Sequence, residues 1–405
     1  MEKKNTWETY SSKQLKELEK INAKYRDFLD NGKTERECID TIVNTIEKSG
    51  YRELESLIKE GAALKTGDKV YSVWMNKSIA MFQIGRKPMT EGMNILGAHI
   101  DSPRLDVKQN PLYEDGGFAY LDTHYYGGVK KYQWVTIPLA IHGVIVKKDG
   151  TCVEINIGEN EDDPVFFVSD LLIHLAQEQL EKNIIVGNKP LLIDKKDKKK
   201  DEKEAGKEAV KAGVLDILKE TYDICEEDFV SAELEIVPAG KAREAGFDRS
   251  MTLAYGQDDR VCAYTSMQAM LDSDVTDRTM CCILVDKEEI GSVGATGMQS
   301  HFFENAVAEV MNLTGEYSEL HVRRCLAHSC MLSSDVSSAF DPTYASSFDK
   351  KNVAYLGGGM VINKFTGARG KSGSNDANAE YLAHLRHIFG KAEVNFQTAE
   401  LGKVD

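Results

Sequence analysis

The chain has 405 residues, of which 42% are hydrophobic and 28% charged, with a formal net charge of -15 at pH 7 and a pI near 5.2. That length allows two domains and a large core, and the acidity argues against nucleic acid or an anionic membrane as the main partner. No apolar run is long enough to span a bilayer, and the charged start from Met1 to Trp7 lacks the apolar stretch of a secretory signal.

Leu15, Leu18, Ile21 and Tyr25 recur at helical spacing, as do Cys38, Ile42 and Ile46, so residues 10 to 60 read as helical. Val70 to Ile84 reads as strand. Met93 to His99 reads as a short buried strand that delivers His99 at its carboxyl end, where the sites of open α/β sheets gather. Gly127-Gly128 breaks the chain, Val135 to Val146 is β-branched, and Cys152 to Ile157 alternates apolar and polar. Asp170 to Leu180 reads as an apolar helix, and the mixed charge run at 194–206 as a solvated loop. A helix from Ala209 to Thr221 and a strand from Ala232 to Val237 follow, so residues 108–245 read as a β-rich inserted domain. The α/β pattern then resumes. Asp259 to Leu271 reads as helix, Met280 to Val285 as strand and His301 to Leu313 as helix. Arg324 to Leu332 reads mostly as strand and leads to Asp335. There is no internal repeat, and Gly291 to Gly297 has neither the spacing nor the lysine of a phosphate loop. Eight scattered cysteines without a CxxC pair suggest buried, reduced thiols in a cytoplasmic protein.

Four distant stretches place metal-ligand residue types beside further acids: His99-Ile100-Asp101, Asp258-Asp259-Arg260, Asp286-Lys287-Glu288-Glu289 and Ser334-Asp335. Each follows a run that reads as a buried strand. Singly, each has an ordinary reading: a capped loop, a helix N-cap with a salt bridge, or a solvated acid pair. Together they match the needs of a two-zinc hydrolase. Zinc takes His nitrogen and carboxylate oxygen, and a carboxylate must bridge two metals. The bridged water becomes hydroxide near neutral pH, and a separate carboxyl must move its proton. Paired acids such as Glu288 and Glu289 can divide the last two tasks. An Asp two residues after a ligand His, as Asp101 is, can orient the imidazole.

With those residues in place, the chain resembles the aspartyl aminopeptidase family of dinuclear zinc metallopeptidases. The matching text includes Gly97-Ala98-His99-Ile100-Asp101-Ser102-Pro103-Arg104-Leu105, Tyr126-Gly127-Gly128, Asp286-Lys287-Glu288-Glu289-Ile290-Gly291-Ser292 and Ser333-Ser334-Asp335-Val336 followed by Asp341-Pro342, and the resemblance covers nearly the whole chain. It implies that His99 and Asp335 bind one zinc, Asp258 bridges both and Glu289 binds the second. Glu288 would then be the general base and acid, with Asp101 orienting His99. Manganese or cobalt are possible substitutes. Asp259 stands where the family usually has asparagine. The resemblance also implies a His of the inserted domain that reaches a neighbouring subunit's site. His174 is the best match, the other reading being a polar spot on an apolar helix. A further family His that binds the second zinc would lie beyond Leu401 to Asp405, so the natural C-terminal end is expected to be lacking here. His384 and His387 read as residues of a helix with local roles.

Acidic substrates need a cation, and the glycine-rich run 364–373 offers Lys364, Arg369 and Lys371. It either presents them to a substrate carboxylate or is a solvated surface loop. The expected fold is a three-layer α/β/α catalytic domain made from residues 1–107 and 246–405, with a β-rich dimerisation domain at 108–245 inserted. The resemblance further implies a homo-oligomer, a tetrahedral dodecamer built from dimers. The expected activity is removal of N-terminal Asp or Glu from peptide substrates. The alternatives are an aminopeptidase of broader specificity and a non-catalytic scaffold.

Overall fold

The structure is a computed structural model that describes residues 5–177, 191–193, 208–366 and 375–401. The chain divides into a larger unit, Tyr25–Ser334, and a smaller one, Met1–Lys24 with Asp335–Asp405. Helices α1 (Thr6–Thr9) and α2 (Ser12–Asp30) open the chain, and the boundary between the units falls within α2. Helix α3 (Glu35–Glu47) starts from a capping box: Thr34 accepts from the Glu37 backbone, and Glu37 accepts from the Thr34 backbone. β1 (Arg52–Glu53), α4 (Leu54–Glu60), β2 (Lys69–Trp74), β3 (Ser78–Gln83) and β4 (Asn94–His99) follow.

A long hairpin, β5 (Arg104–Asp115) and β6 (Phe118–Tyr126), then begins a second sheet. It is joined by β7 (Leu139–Val146), β8 (Cys152–Ile157), β9 (Phe167–Val168), β10 (Leu191–Ile193) and, after helix α5 (Ala209–Tyr222), by β11 (Ala232–Pro238). These strands form an antiparallel sheet ordered β8-β7-β11-β5-β6-β10-β9. Ala119 and Leu121 alternate with more exposed neighbours along β6, as a sheet with one packed face requires. β12 (Arg243–Ala245) and β13 (Met251–Leu253) make a small ribbon.

Helix α6 (Gln257–Asp272), β14 (Met280–Val285), α7 (Phe302–Leu313), α8 (Glu319–His328) and β15 (Cys330–Ser333) complete the larger unit. Its first sheet is ordered β1-β2-β3-β14-β4-β15, with β14 and β15 parallel to β4 on either side. Side chains alternate between its faces. Ile79, Met81, Cys282 and Leu284 pack against α2, α3 and α6, whereas Ala80, Phe82, Cys281 and Ile283 pack against α4, α7 and α8. The two helical layers around one sheet are the expected α/β/α architecture. The central strand β14 is buried throughout, which explains its unbroken apolar run.

Two of the expected elements are of another type. Arg324 to Leu332 is not mainly strand, because Val322 and Cys325 bury one face of α8 and the strand begins only at Cys330. Residues 170–176 are not an α-helix. They hold a single 3-10 turn, Ile173–Leu175, and Leu171, Leu172, Ile173 and Leu175 are all exposed. Those apolar residues are contiguous rather than spaced along one face, so a helix there would gain no buried stripe to offset its ordering cost. Gln177 is helical, while the rest of that expected helix, 178–180, and the charge run at 194–206 lie outside the described residues.

In the smaller unit, β16 (Met360–Asn363) pairs in parallel with β17 (Phe396–Ala399), with α9 (Ala379–Lys391) between them in sequence. His384 and His387 do lie on that helix. Gln397 accepts from the Tyr355 backbone and donates to its carbonyl, both at 2.9 Å. The eight cysteines are free thiols, four of them buried, while Cys152 and Cys225 are exposed. No helix among the described residues is long and apolar enough to cross a membrane.

Candidate metal centre

Parallel strands deliver most of the site. His99 ends β4 and pairs in register with Val285, so Asp286 to Glu289 leave β14 beside it. Lys287 adopts φ 73° and opens a 3-10 turn, Glu288–Ile290, that turns both glutamates back over the strand end. On the other side of β4, Ser334 donates its backbone N–H to the Gly97 carbonyl at 2.7 Å. Asp335 follows directly and begins the smaller unit. Asp258 arrives differently. The strand before it, β13, is an exposed ribbon and not the buried strand expected from sequence. Asp258 and Asp259 have non-helical backbone angles at the start of α6 and are joined by a cis peptide bond. Ser102 donates to the Asp258 carbonyl at 2.7 Å, and buried Arg260 donates to the carbonyls of Ile100 and Lys33, tying the head of α6 to the end of β4. Asp259 is fully buried.

The result is a convergence of donors. His99, Asp258 and Glu289 each offer one ligand atom, all within 4.8 Å of one another. His99 Nε2 lies 3.3 Å from Asp258 Oδ1 and 3.8 Å from Glu288 Oε2. The imidazole is buried, whereas the side chains of Asp258 and Glu288 are 52% and 47% exposed, so the site has a closed floor and an open mouth. Two ligands of one zinc stand at most roughly 4.2 Å apart, a spread that the partly exposed Asp258 and Glu289 can reach by rotating. One imidazole with carboxylates is a donor set that suits zinc.

Asp101 organises this floor. Its Oδ1 lies 3.2 Å from His99 Nδ1 and accepts the Glu288 N–H, and its Oδ2 accepts the Glu289 N–H at 3.1 Å and the Tyr126 hydroxyl at 2.7 Å. Burial opposes charge on Asp101, but His99 and Tyr126 outweigh it and hold its pKa below the ordinary value. Burial likewise opposes charge on His99, yet Asp101 and Asp258 raise its pKa to about 11. A cation at Nε2 would take that proton's place. Burial, and then Asp258, push Glu289 up to about 7.

Tyr126 and Arg104 lay within the matching text, but sequence reasoning gave them no role. They are cross-strand partners on β5 and β6, and the Arg104 guanidinium stands 3.9 Å from the Tyr126 ring centroid. Arg104 is buried and pairs with Glu35 at 2.6 Å, Asp106 at 2.8 Å and Glu235 at 3.2 Å. Burial would raise Glu35, but Arg104 and a hydrogen bond with Glu235 lower it to about 2, while burial and Glu35 raise Glu235. Close by in the fold, buried Lys33 holds Glu159 at 2.6 Å, and His142 lies between Glu37 at 2.7 Å and Glu159 at 3.1 Å.

Of the other expected residues, His174 is exposed on the 3-10 turn Ile173–Leu175, not on an apolar helix. Lys364 is exposed in the smaller unit, its Nζ 5.0 Å from the Phe365 ring centroid. Arg369 and Lys371 lie outside the described residues.

Residues 28–405 match the family of aminopeptidase I zinc metalloproteases, M18. The chain belongs to this family. It is 60% identical over 415 residues to a Clostridium acetobutylicum protein named "Probable M18 family aminopeptidase 1", covering 100% of this chain and 87% of that one. A crystal structure of aminopeptidase I from Clostridium acetobutylicum superposes with a TM-score of 0.92 at 58% identity, covering 100% of this chain and 88% of that one. An M18 aminopeptidase structure from Thermotoga maritima gives 0.93 at 42% identity with the same coverage. The protein is thus a hydrolase of the metalloaminopeptidase class.

Proposed function

We propose that the chain is a two-zinc aminopeptidase that removes the N-terminal residue of peptides and prefers Asp or Glu there. The observation that carries this reading is the convergence of His99, Asp258 and Glu289 within 4.8 Å, with Glu288 beside the same imidazole. In this reading His99 and Asp335 would hold one zinc and Glu289 the other, with Asp258 available to both. Bound zinc supplies Lewis acidity, which polarises the scissile carbonyl and makes water more acidic. Glu288 takes the proton of the attacking water and returns it to the leaving amine. Its half-exposed carboxylate suits that exchange. Asp101 keeps the His99 ring turned towards its ligand position. The acidic mouth favours the substrate's free α-ammonium.

An acidic side chain would be met by Lys364, Arg369 and Lys371, and by His174 from a neighbouring subunit. Residues 1–107 and 246–405 would form the catalytic domain, and 108–245 a dimerisation domain within a homo-oligomer, by the resemblance a dodecamer. The separate seven-stranded sheet and the exposed Leu171, Leu172, Ile173 and Leu175 support this division. Free thiols fit a cytoplasmic setting. The test is a set of initial rates on Asp-, Glu-, Leu- and Lys-amides with zinc, manganese or cobalt and a chelator control. Chelator-sensitive cleavage led by Asp and Glu is expected. Even rates across the panel would remove the acidic preference, and cleavage indifferent to the chelator would remove the metal. Mass in solution checks the oligomer.

A further inference from the structure

Tyr126 ends β6, a strand of the seven-stranded sheet, while His99 and the Glu288–Ile290 turn leave the six-stranded one. Only 6% of Tyr126 is exposed, and its hydroxyl makes the shortest contact that Asp101 has, at 2.7 Å. The same carboxylate faces His99 and accepts both glutamate N–H groups. Its torsion therefore bears on the turn and, together with the Asp101 backbone carbonyl 3.0 Å from His99 Nδ1, on the imidazole, and Tyr126 supplies the fixed donor that sets the torsion. The ring is itself held. Arg104 lies 3.9 Å from its centroid and Lys287 Nζ 5.3 Å, and Arg104 is anchored by Glu35, Asp106 and Glu235.

The next residue touches the other side of the centre. Gly127 has φ +70°, and a Cβ there would stand 3.2 Å from Glu289 Cβ and 3.3 Å from Glu289 Oε2. The bare backbone is what lets Glu289 lie where it does.

We infer that the Tyr126–Gly127 corner is a positioning element of the metal centre, contributed by the seven-stranded sheet. Tyr126 acts through Asp101 on His99 and on the Glu288–Glu289 backbone, and Gly127 sets the seat of Glu289. This rests on the reading of His99, Asp258 and Glu289 as zinc ligands.

The experiment uses the full chain as wild type, Tyr126→Phe, Gly127→Ala and His99→Ala. Zinc affinity is measured by competition with a chromophoric chelator, visible spectra are recorded on the cobalt(II)-loaded proteins, and urea unfolding is followed on the chelated ones. Tyr126→Phe keeps the ring against Arg104 and removes only the hydroxyl. It should weaken zinc by about 10-fold or more and shift the cobalt bands, which a purely structural role would leave in place. Gly127→Ala should weaken zinc to a similar degree. If both bind zinc within about twofold of wild type while His99→Ala loses it, the inference fails and the metal reading stands. If His99→Ala also binds as wild type does, the metal reading itself fails. Should Tyr126→Phe unfold when chelated, Gly127→Ala decides: wild-type zinc affinity there overturns the inference, and weakened affinity supports it.

Discussion

Two groups of acids in the larger unit use the same residue types to opposite ends. At the junction of the two sheets, Glu35, Asp106 and Glu235 surround Arg104, and Glu37 and Glu159 surround His142 and Lys33. Glu35 and Glu235 are buried there, 0% and 7% exposed, and both lie against the Arg104 guanidinium. At the candidate metal centre, Asp101, Asp258 and Glu288 face one imidazole and Glu289 adds a fourth carboxylate, with Asp258 and Glu288 half exposed. Acids that already hold cations make a rigid joint. Acids that converge on a single histidine and open to solvent make a place for a cation to be added. Tyr126 and Arg104 sit between the two groups and belong in part to each.

Breaking the open group should show in activity and leave the fold intact. Glu288→Gln should lower kcat by about 10²–10⁴-fold while zinc affinity by chelator competition stays near wild type. A rate equal to wild type would remove the assigned role. Breaking the closed group should show in stability. Arg104→Met keeps the volume and leaves buried acids without their partner, and should cost about 3–5 kcal/mol in urea unfolding of the chelated protein.

The same closed group predicts a pH dependence through His142. Burial opposes its charge, but hydrogen bonds that it donates to Glu159 and Glu37 raise its folded pKa above 6.5. Its contribution is then complete below the unfolded value and is lost as pH rises through the folded one. The stability gap between wild type and His142→Gln should therefore shrink as pH rises above 6.5, as read by urea midpoints. The smallest effect is expected at the capping box, where Thr34→Ala should cost about 1 kcal/mol with activity unchanged. A loss of activity there would mean that the two groups are more tightly coupled than their separation suggests.

The strand-end positions of His99 and of Asp286 to Glu289 were legible because an apolar run followed by paired acids is a local pattern, and β4 and β14 lie where that pattern puts them. Asp258 was legible as a candidate ligand, but its support was not. An exposed ribbon and tethers from Ser102 and Arg260 hold it, and no local spacing encodes tethers to residues about 160 positions away. Helix α8 was missed because its apolar positions merge in sequence with those of β15. The 3-10 turn at Ile173–Leu175 was missed because apolar composition was read as burial, and in the chain those residues are exposed.

By itself the sequence determined the alternation that buries both faces of the first sheet, the capping box that starts α3, and the residue types at the carboxyl ends of β4 and β14. These follow from periodicity and from the chemistry of single side chains. Only the tertiary structure decided which acids are paired and which are left to converge. That choice depends on Arg104 meeting Glu35 across 69 residues and on Tyr126 meeting Asp101 across 25, contacts that form when one sheet is laid against the other.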